Sequence, residues 1–502
     1  MHGRYCERGH TDVSARASSR PRVAIIGAGF SGIAAAVALT RRGITDYEVF
    51  EEADGVGGTW FKNRYPGAVV DLESHIYSYS FQRRDWRGMY AGWEEVRQYL
   101  EDVATKWGML ERTRLNVHID SATWSEETRT YQLTGSDGTT YGPFEAVISA
   151  VGFLNHPIVP PFARGETAYQ GVICHTSRWP DGLSMDGKRV AVVGTGSSAV
   201  QVVEEAERTA ASLTIFQLEP NWILPKGVRE FTEDERRANR RWLVYWWRRR
   251  RLFHAYDYRQ VGSRHARSGT RSHGRRARAS LKYLQSSLAS RPDLIDLVTP
   301  AFTFEGRRTV FTDTYYECLK SPKTRLIPHG VTGLTSSGVV DATGAEYEFD
   351  IVVLATGFDA ANYLRGLRVT GVGGKDLHET WAGEPVAYLG MLVPGFPNFF
   401  MMYGPNTNAS PLPSFYEAEA AMAARIISRL GRPGHRRVEV RRRTFERFNA
   451  WLQGKLARTV WAPVDSYFKT SSGKVVAQWP VSPSRFILAT KLAPLHAVTY
   501  SD

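Results

Sequence analysis

Cysteine is scarce in this chain: 502 residues carry three, Cys6, Cys174 and Cys318, with no Cys-x-x-Cys pair. That scatter excludes a redox dithiol of the disulfide-reductase kind and a thiolate zinc knuckle, and a reducing, cytoplasmic setting is expected. No apolar run reaches the ~18 residues of a spanning helix, so no stable membrane insertion is expected. Residues 1–20 are polar and rich in Arg and Ser, without the apolar core of a signal peptide; a disordered tail is expected there. No metal is expected, since the one His that stands in a motif, His175, has no second ligand at metal spacing. Acidic residues are missing from one segment. Between Arg236 and Lys282 there are 16 Arg or Lys and one acid, Asp257. The chain as a whole carries +13, so outside this segment it is close to neutral.

The basic segment includes Trp242, Leu243, Tyr245, Trp246 and Trp247, followed by four consecutive arginines from Arg248 to Arg251. The expected arrangement is a helical excursion, aromatics packed on the body of the protein and arginines in solvent. The alternative is a basic amphipathic helix for an anionic membrane surface or nucleic acid. It rests on this segment alone, and no nucleic-acid partner is expected.

Glycine, by contrast, is present at fixed offsets. Two turns share one frame: Gly27-Ala28-Gly29-Phe30-Ser31-Gly32 and Gly194-Thr195-Gly196-Ser197-Ser198-Ala199. Before the first, residues 22–26 form a short apolar run of strand character; after it, residues 33–39 read as a small-residue helix. In this setting the first glycine permits the tight turn, the second lets a pyrophosphate approach the backbone, and the third lets helix and strand pack closely. The helix N-terminus offers free N–H groups to the phosphates. A second strand, residues 47–50, ends at Glu51, where a carboxylate can accept from a ribose hydroxyl. Around the second turn, residues 188–193 and 213–216 repeat the strands, and Glu219 stands where the choice between NAD and NADP is made. Two such frames imply an α/β fold of two Rossmann-like dinucleotide-binding domains, two dinucleotides held at once, and electron transfer between them. The length allows two or three domains.

The first unit runs on through Gly58, Thr59, Trp60, Tyr65, Pro66, Gly67 and Asp71. Here the sequence resembles the type I Baeyer-Villiger monooxygenases of the class B flavin-dependent monooxygenase superfamily. Their pattern is Gly-x-Trp, four residues, aromatic-Pro-Gly, three residues and Asp. The family's second signature, Phe-x-Gly-x-x-x-His-x-x-x-Trp-Pro, is met at residues 169–180, with Tyr169 in place of Phe and with Gly171, His175, Trp179 and Pro180. Relatives that oxygenate only nitrogen or sulfur usually carry Tyr or Phe where Trp179 stands.

The resemblance implies FAD, NADPH and O2 as co-substrate, acting on a small-molecule ketone to give an ester or lactone. The oxidant of that chemistry is a flavin C4a-peroxide that must remain an anion, so a fixed cation is required beside it. Arg308 matches the family's active-site arginine, Asp71 the carboxylate that orients it, and Arg307 a phosphate-contacting lysine. Arg suits the task because it stays charged when partly buried. Gly27, Gly29, Phe30, Ser31, Gly32, Glu51, Gly58, Thr59, Trp60, Asp71, Tyr77 and Asn406 are carried over as flavin-side binding residues. Gly194, Thr195, Gly196, Ser197, Ser198, Glu219 and Arg307 are carried over for the nicotinamide dinucleotide. Gly171, His175 and Trp179 are expected to be conformational, in a linker coupling the two units. The FAD-binding domain is expected at 21–160 plus 340–502, with Ala355-Thr356-Gly357 beside the flavin. The NAD(P)-binding domain is expected at 161–339, with the basic helical insertion at 226–300.

One departure bears on the coenzyme. Where the family reads Gln-Arg-Thr-Pro, this chain has Gln217-Leu218-Glu219-Pro220, which removes an arginine for the 2'-phosphate and adds an acid. NADPH remains the expectation because Arg307 can bind phosphate; NADH is the alternative. An N- or S-oxygenating flavin monooxygenase is the alternative activity.

Overall fold

Val23–Ile26 is four apolar residues, all buried, and such a run suits a strand covered on both faces. In the computed structural model, which describes residues 20–165 and 167–502, it is the centre of a five-stranded parallel sheet. The order across that sheet is Phe399–Met401, Ala146–Ser149, Val23–Ile26, Tyr47–Phe50, Thr113–Arg114. Cys6 and the expected tail up to residue 19 lie outside the described residues. The helix Phe30–Arg41 follows the first turn; its alanines Ala34, Ala35 and Ala36 are buried, and it packs on Leu412–Ile427, which buries Ala420, Ala423 and Ala424. Small side chains on both helices let the two axes come close. An antiparallel hairpin system, Ile119–Ser125, Thr130–Gly135 and Thr140–Phe144, flanks the sheet.

The second sheet is also five-stranded and parallel: Thr324–Ile327, Ser212–Phe216, Arg189–Val193, Ile351–Leu354, Val172–His175. Its two faces are covered by separate clusters, one around Val190, Val192 and Val203, the other around Ala191, Phe216 and Val352. Two sheets, each opened by a glycine turn, bear out the expected fold class.

The expected return to the first unit at residue 340 needs correction. Ile351–Leu354 pairs with both Arg189–Val193 and Val172–His175, so it sits inside the second sheet. Ala355 accordingly lies against the second turn, its carbonyl 2.5 Å from where a Cβ on Gly194 would stand, and not with the flavin-side turn. A fully apolar strand of four residues looks the same in either sheet, which is why the sequence did not assign it.

Between the short parallel strands Ile223–Leu224 and Val310–Phe311 lies the basic excursion, with helices Glu233–Asn239, Trp242–Gln260, Arg271–Ser287 and Pro292–Val298. A capping box between Thr232 and Glu235 starts the first of them. The longest is anchored on the first unit: Arg249 is buried and donates to the His75 carbonyl at 2.8 Å and to Ser78 Oγ at 3.2 Å. Tyr245, one turn earlier, is buried on the same face. The expectation that the aromatics pack inward fails for Trp242, Trp246 and Trp247, which are exposed. Arg249 takes an inward position that composition would give to an aromatic.

Candidate active site

The first turn is crowded by its own backbone. A Cβ on Gly32 would stand 1.9 Å from the Gly27 carbonyl oxygen, and Gly27, at φ +102, already faces the Ala150 carbonyl. Gly58, at φ +56, brings the next motif onto this turn: a Cβ there would be 2.8 Å from the Gly29 Cα. Glu51 fixes the loop from beneath, accepting from Ala28 N–H at 2.7 Å and Ala53 N–H at 3.0 Å. Burial raises its pKa, although both backbone donors oppose the shift. Trp60 donates to Tyr77 Oη at 3.1 Å, and the Phe30 ring meets Tyr77 edge-on at 5.2 Å. Ser31 donates to the Ala150 carbonyl at 3.3 Å.

The second turn is open at its second glycine. No atom lies within 4 Å of a Cβ placed on Gly196, and the Ser197 hydroxyl is buried at the N-terminus of helix Ser197–Thr209 without a partner among the described residues. Thr195 Oγ1 donates to the Glu219 carbonyl at 2.8 Å, tying the turn to the end of the next strand. Glu219 itself forms an ion pair with Arg307. Arg307 also donates from Nε to the Asp465 carbonyl at 2.8 Å and lies over the Phe302 ring at 4.8 Å. Leu218 is solvent-exposed.

The motif from Gly58 to Asp71 spans both units. Tyr65 donates to Gln201 Oε1 at 2.7 Å and to Ser198 Oγ at 3.2 Å, and Gln201 Nε2 donates back to the Val69 carbonyl at 3.0 Å. Asp71 is thereby held where the units meet, and Arg308 reaches it from the other side: Nη2 to Oδ2 is 2.5 Å. The Asp71 side chain is 11% exposed, but Arg308 keeps 46%, turned into a cavity of about 1890 Å3 that both glycine turns also line. Burial works to lower the Arg308 pKa; the Asp71 carboxylate outweighs it, and the pKa rises. At ~4 Å and an effective dielectric near 20, unit charges attract by about 4 kcal/mol. The guanidinium stays charged and retains donors for a third group.

Lys226 escaped the sequence reading. Its side chain is buried, its ammonium lies 5.0 Å from the Tyr90 ring, and it lines the cavity near Asp71 and Arg308. Burial lowers its pKa, against the pull of Asp71, Glu204 and Asp313. Asp313 holds its loop by accepting three backbone N–H groups: Lys226 at 2.8 Å, Gly227 at 3.0 Å and Val228 at 2.8 Å. A lone Lys after Pro225 carries no pattern that sequence alone could single out. Tyr467 stands in the C-terminal stretch 461–468, which resembles a family segment expected to form part of the substrate wall. Its side chain also lines the cavity, close to the Arg308 guanidinium.

The linker signature has structural work. His175 Nδ1 accepts from Ser177 N–H at 3.1 Å, which leaves Nε2 to donate to the Gly357 carbonyl at 3.2 Å. Burial lowers its pKa to about 4, so the ring is neutral. Gly171 has no room for a side chain, because a Cβ would be 2.3 Å from the Tyr169 hydroxyl. Trp179 lines the cavity, its indole N–H 3.4 Å from the Leu183 carbonyl.

Thr59 and Tyr77 line the cavity with the residues above; Gly32 supports the turn from behind. Asn406 is placed otherwise than expected. It is buried away from the cavity, its amide donating to the carbonyls of Val475 at 3.0 Å and Gln478 at 3.2 Å, and Asn408 lines the cavity in its stead. Among the described residues no group of His, Cys, Asp and Glu could hold a metal ion.

A family model described as an NAD(P)-binding Rossmann-like domain matches residues 25–93. A Baeyer-Villiger monooxygenase of Pseudomonas aeruginosa is 35% identical over 488 residues, covering 96% of this chain and 92% of that protein. The chain belongs to the Baeyer-Villiger monooxygenases. Among solved structures, this Baeyer-Villiger monooxygenase is similar to an oxidized steroid monooxygenase bound to NADP, with a TM-score of 0.87 and 26% identity over 96% of this chain and all of that one. It is also 30% identical to a phenazine N-monooxygenase of Lysobacter antibioticus, covering 88% of this chain and 89% of that protein.

Proposed function

We propose that Arg308 and Asp71 form the catalytic pair of a ketone-oxidising enzyme that inserts one oxygen atom beside a carbonyl, giving an ester or lactone, in a cytoplasmic setting. The observation that carries this reading is the Asp71–Arg308 ion pair, set in the cavity that both glycine turns open into.

The residues fit two dinucleotides. The flavin-side turn is a backbone cradle in which a Cβ at Gly32 would collide, with Gly29 and Gly58 bare toward each other. The second turn has open space at Gly196 and, at a helix N-terminus, a buried Ser197 hydroxyl without a partner among the described residues. The first turn would hold FAD and the second a nicotinamide dinucleotide; together these would supply the reducing equivalents and the activated oxygen drawn from O2.

The protein's own part is electrostatic and positional. Arg308, fixed by Asp71, presents a permanent cation to negative charge developing on oxygen, and a preorganised donor needs no reorganisation during reaction. Tyr467 lines the same cavity beside it. Lys226 adds a second, buried positive charge to the same wall. Trp179 and the His175–Gly357 hydrogen bond couple the linker to the strand end above the second turn. NADPH is the coenzyme of this reading. Its 2'-phosphate would compete with Glu219 for Arg307, the cation placed to meet it.

Oxygenation of nitrogen is the second reading, favoured by the phenazine N-monooxygenase among the relatives. It does not require a cation held beside the reacting oxygen, whereas attack on a carbonyl by an anionic oxidant does. Incubating the purified flavoprotein with NADPH and a panel of cyclic, linear and aromatic ketones, amines and sulfides, with mass detection, separates the two. Ketones gaining one oxygen supports the proposal; gain confined to amines or sulfides refutes it.

A further inference from the structure

The helix Trp242–Gln260 shows solvent what its composition would be expected to bury. Trp242 is 58% exposed, Leu243 68%, Trp246 46% and Trp247 59%. At 3.6 residues per turn, Leu243, Trp246, Trp247, Arg250 and Arg251 share the face away from the inward-held Tyr245 and Arg249. The rings of Trp242 and Trp246 stack with centroids 6.3 Å apart. The guanidinium of Arg250 lies 5.2 Å over Trp246 and that of Arg251 lies 5.6 Å over Trp247. The one acid of this helix, Asp257, is engaged elsewhere: it accepts from Ser484 N–H at 2.7 Å and Ser484 Oγ at 3.0 Å. The face is therefore apolar and cationic, with no carboxylate.

A single exposed Leu is ordinary, but four large apolar side chains side by side on one helix mark an interaction surface. The chemistry selects among occupants. In a two-fold contact with a second copy the patch meets itself, setting Arg250 and Arg251 against their equivalents with no acid between them. Single-stranded nucleic acid needs free indole faces for its bases, and here guanidinium groups cover Trp246 and Trp247. A bilayer interface uses both parts: indoles sit at headgroup depth, and arginines pair with lipid phosphates.

We propose that this face docks the enzyme peripherally on an anionic lipid bilayer, with Leu243 and the three tryptophans at the headgroup boundary and the flanking arginines on lipid phosphates. No described helix is long and apolar enough to cross a membrane, so the contact is superficial. Anionic phosphatidyl lipids of a cytoplasmic leaflet suit it. Tyr256, about 14 Å further along the same helix, lines the cavity, so docking sets the substrate cavity close to the membrane. The proposal does not depend on the reaction catalysed, and its test reads binding alone.

The full-length flavoprotein is sedimented with vesicles of phosphatidylcholine containing phosphatidylglycerol, and with pure phosphatidylcholine, at about 0.15 M salt, where screening beyond ~8 Å is strong. Wild type is expected to pellet with the anionic vesicles at least about tenfold more strongly than with neutral ones, as several arginines near an anionic surface require. The double variant Trp242→Ser, Trp247→Ser should lose about tenfold of that partition at unchanged flavin content and melting temperature. Arg250→Glu with Arg251→Glu keeps the indoles and should lose the preference for anionic lipid; it serves equally if the tryptophan variant misfolds. Wild type left in the supernatant, or both variants pelleting like wild type, overturns the proposal. So does a dimer in light scattering that Trp247→Ser converts to monomer, which would make a second copy the occupant.

Discussion

The two glycine turns share a sequence frame but differ in what surrounds them. The first is closed: Gly58 presses against Gly29, Glu51 holds the loop from below, and Gly32 leaves no space for a methyl group. The second is open at Gly196, carries a Ser197 hydroxyl with no partner among the described residues, and is reached by a cation, Arg307, that is shared with Glu219. A closed cradle suits a cofactor retained through every cycle. An open one suits a coenzyme that must enter and leave. The same motif thus serves resident and exchanging ligands, and the difference lies in contacts outside the motif.

Substitution at the glycines should break the comparison most sharply. Gly32→Ala places a methyl carbon onto the Gly27 carbonyl, and the purified variant is expected to lack the yellow flavin chromophore altogether. Gly196→Ala meets no protein atom, so absorbance should show full flavin content, while KM for the nicotinamide coenzyme rises about tenfold or more because the methyl group occupies space meant for a pyrophosphate. If both variants kept their flavin, the first turn would not be the closed one.

A smaller effect is expected at Glu219. Glu219→Gln releases Arg307 from its ion pair, and the ratio of kcat/KM for NADPH over NADH should rise by about tenfold, in line with a charge-assisted phosphate contact of ~1.4 kcal/mol. An unchanged ratio would mean that Arg307 does not face the 2'-phosphate.

A separate effect is on stability. His175, at the linker, has its pKa lowered to about 4, and His75, under the excursion, to about 3, both chiefly by burial. The unfolded chain takes up these protons below pH ~6.5 while the fold resists them, so stability falls as pH drops from 6.5 toward 4 and is unaffected above it. Each neutral imidazole contributes a slope of up to about 1.4 kcal/mol per pH unit. Urea titrations at pH 7, 6 and 5 measure it, and His175→Gln should flatten the curve by roughly one histidine's share.

Much of this was legible in local sequence, because the chemistry constrains neighbours. The strand, glycines and acid of the first turn lie within 30 residues, and Asp71 and Arg308 each stand in a motif that marks them; the structure joins them across 237 positions. Where side chains act through space without a pattern, the sequence was silent. Lys226 owes its position to Asp313, and Ile351–Leu354 could belong to either sheet. The exposed tryptophans were misread for a related reason. Arginines and aromatics alternate around that helix without a clean stripe, so periodicity did not say which face turns inward, and the Arg249 anchor decides it. Asn406 shows the opposite error, a motif position whose amide serves the fold.

The central claim is that Arg308, held by Asp71, supplies the cation that oxygen insertion requires. The most direct measurement is product formation by Arg308→Ala, compared with its flavin reduction by NADPH in a stopped-flow cell without oxygen. Reduction should proceed within a few-fold of wild type, while ester formation falls by at least about a thousandfold, the equivalent of ~4 kcal/mol. Undiminished ester formation in that variant would contradict the account.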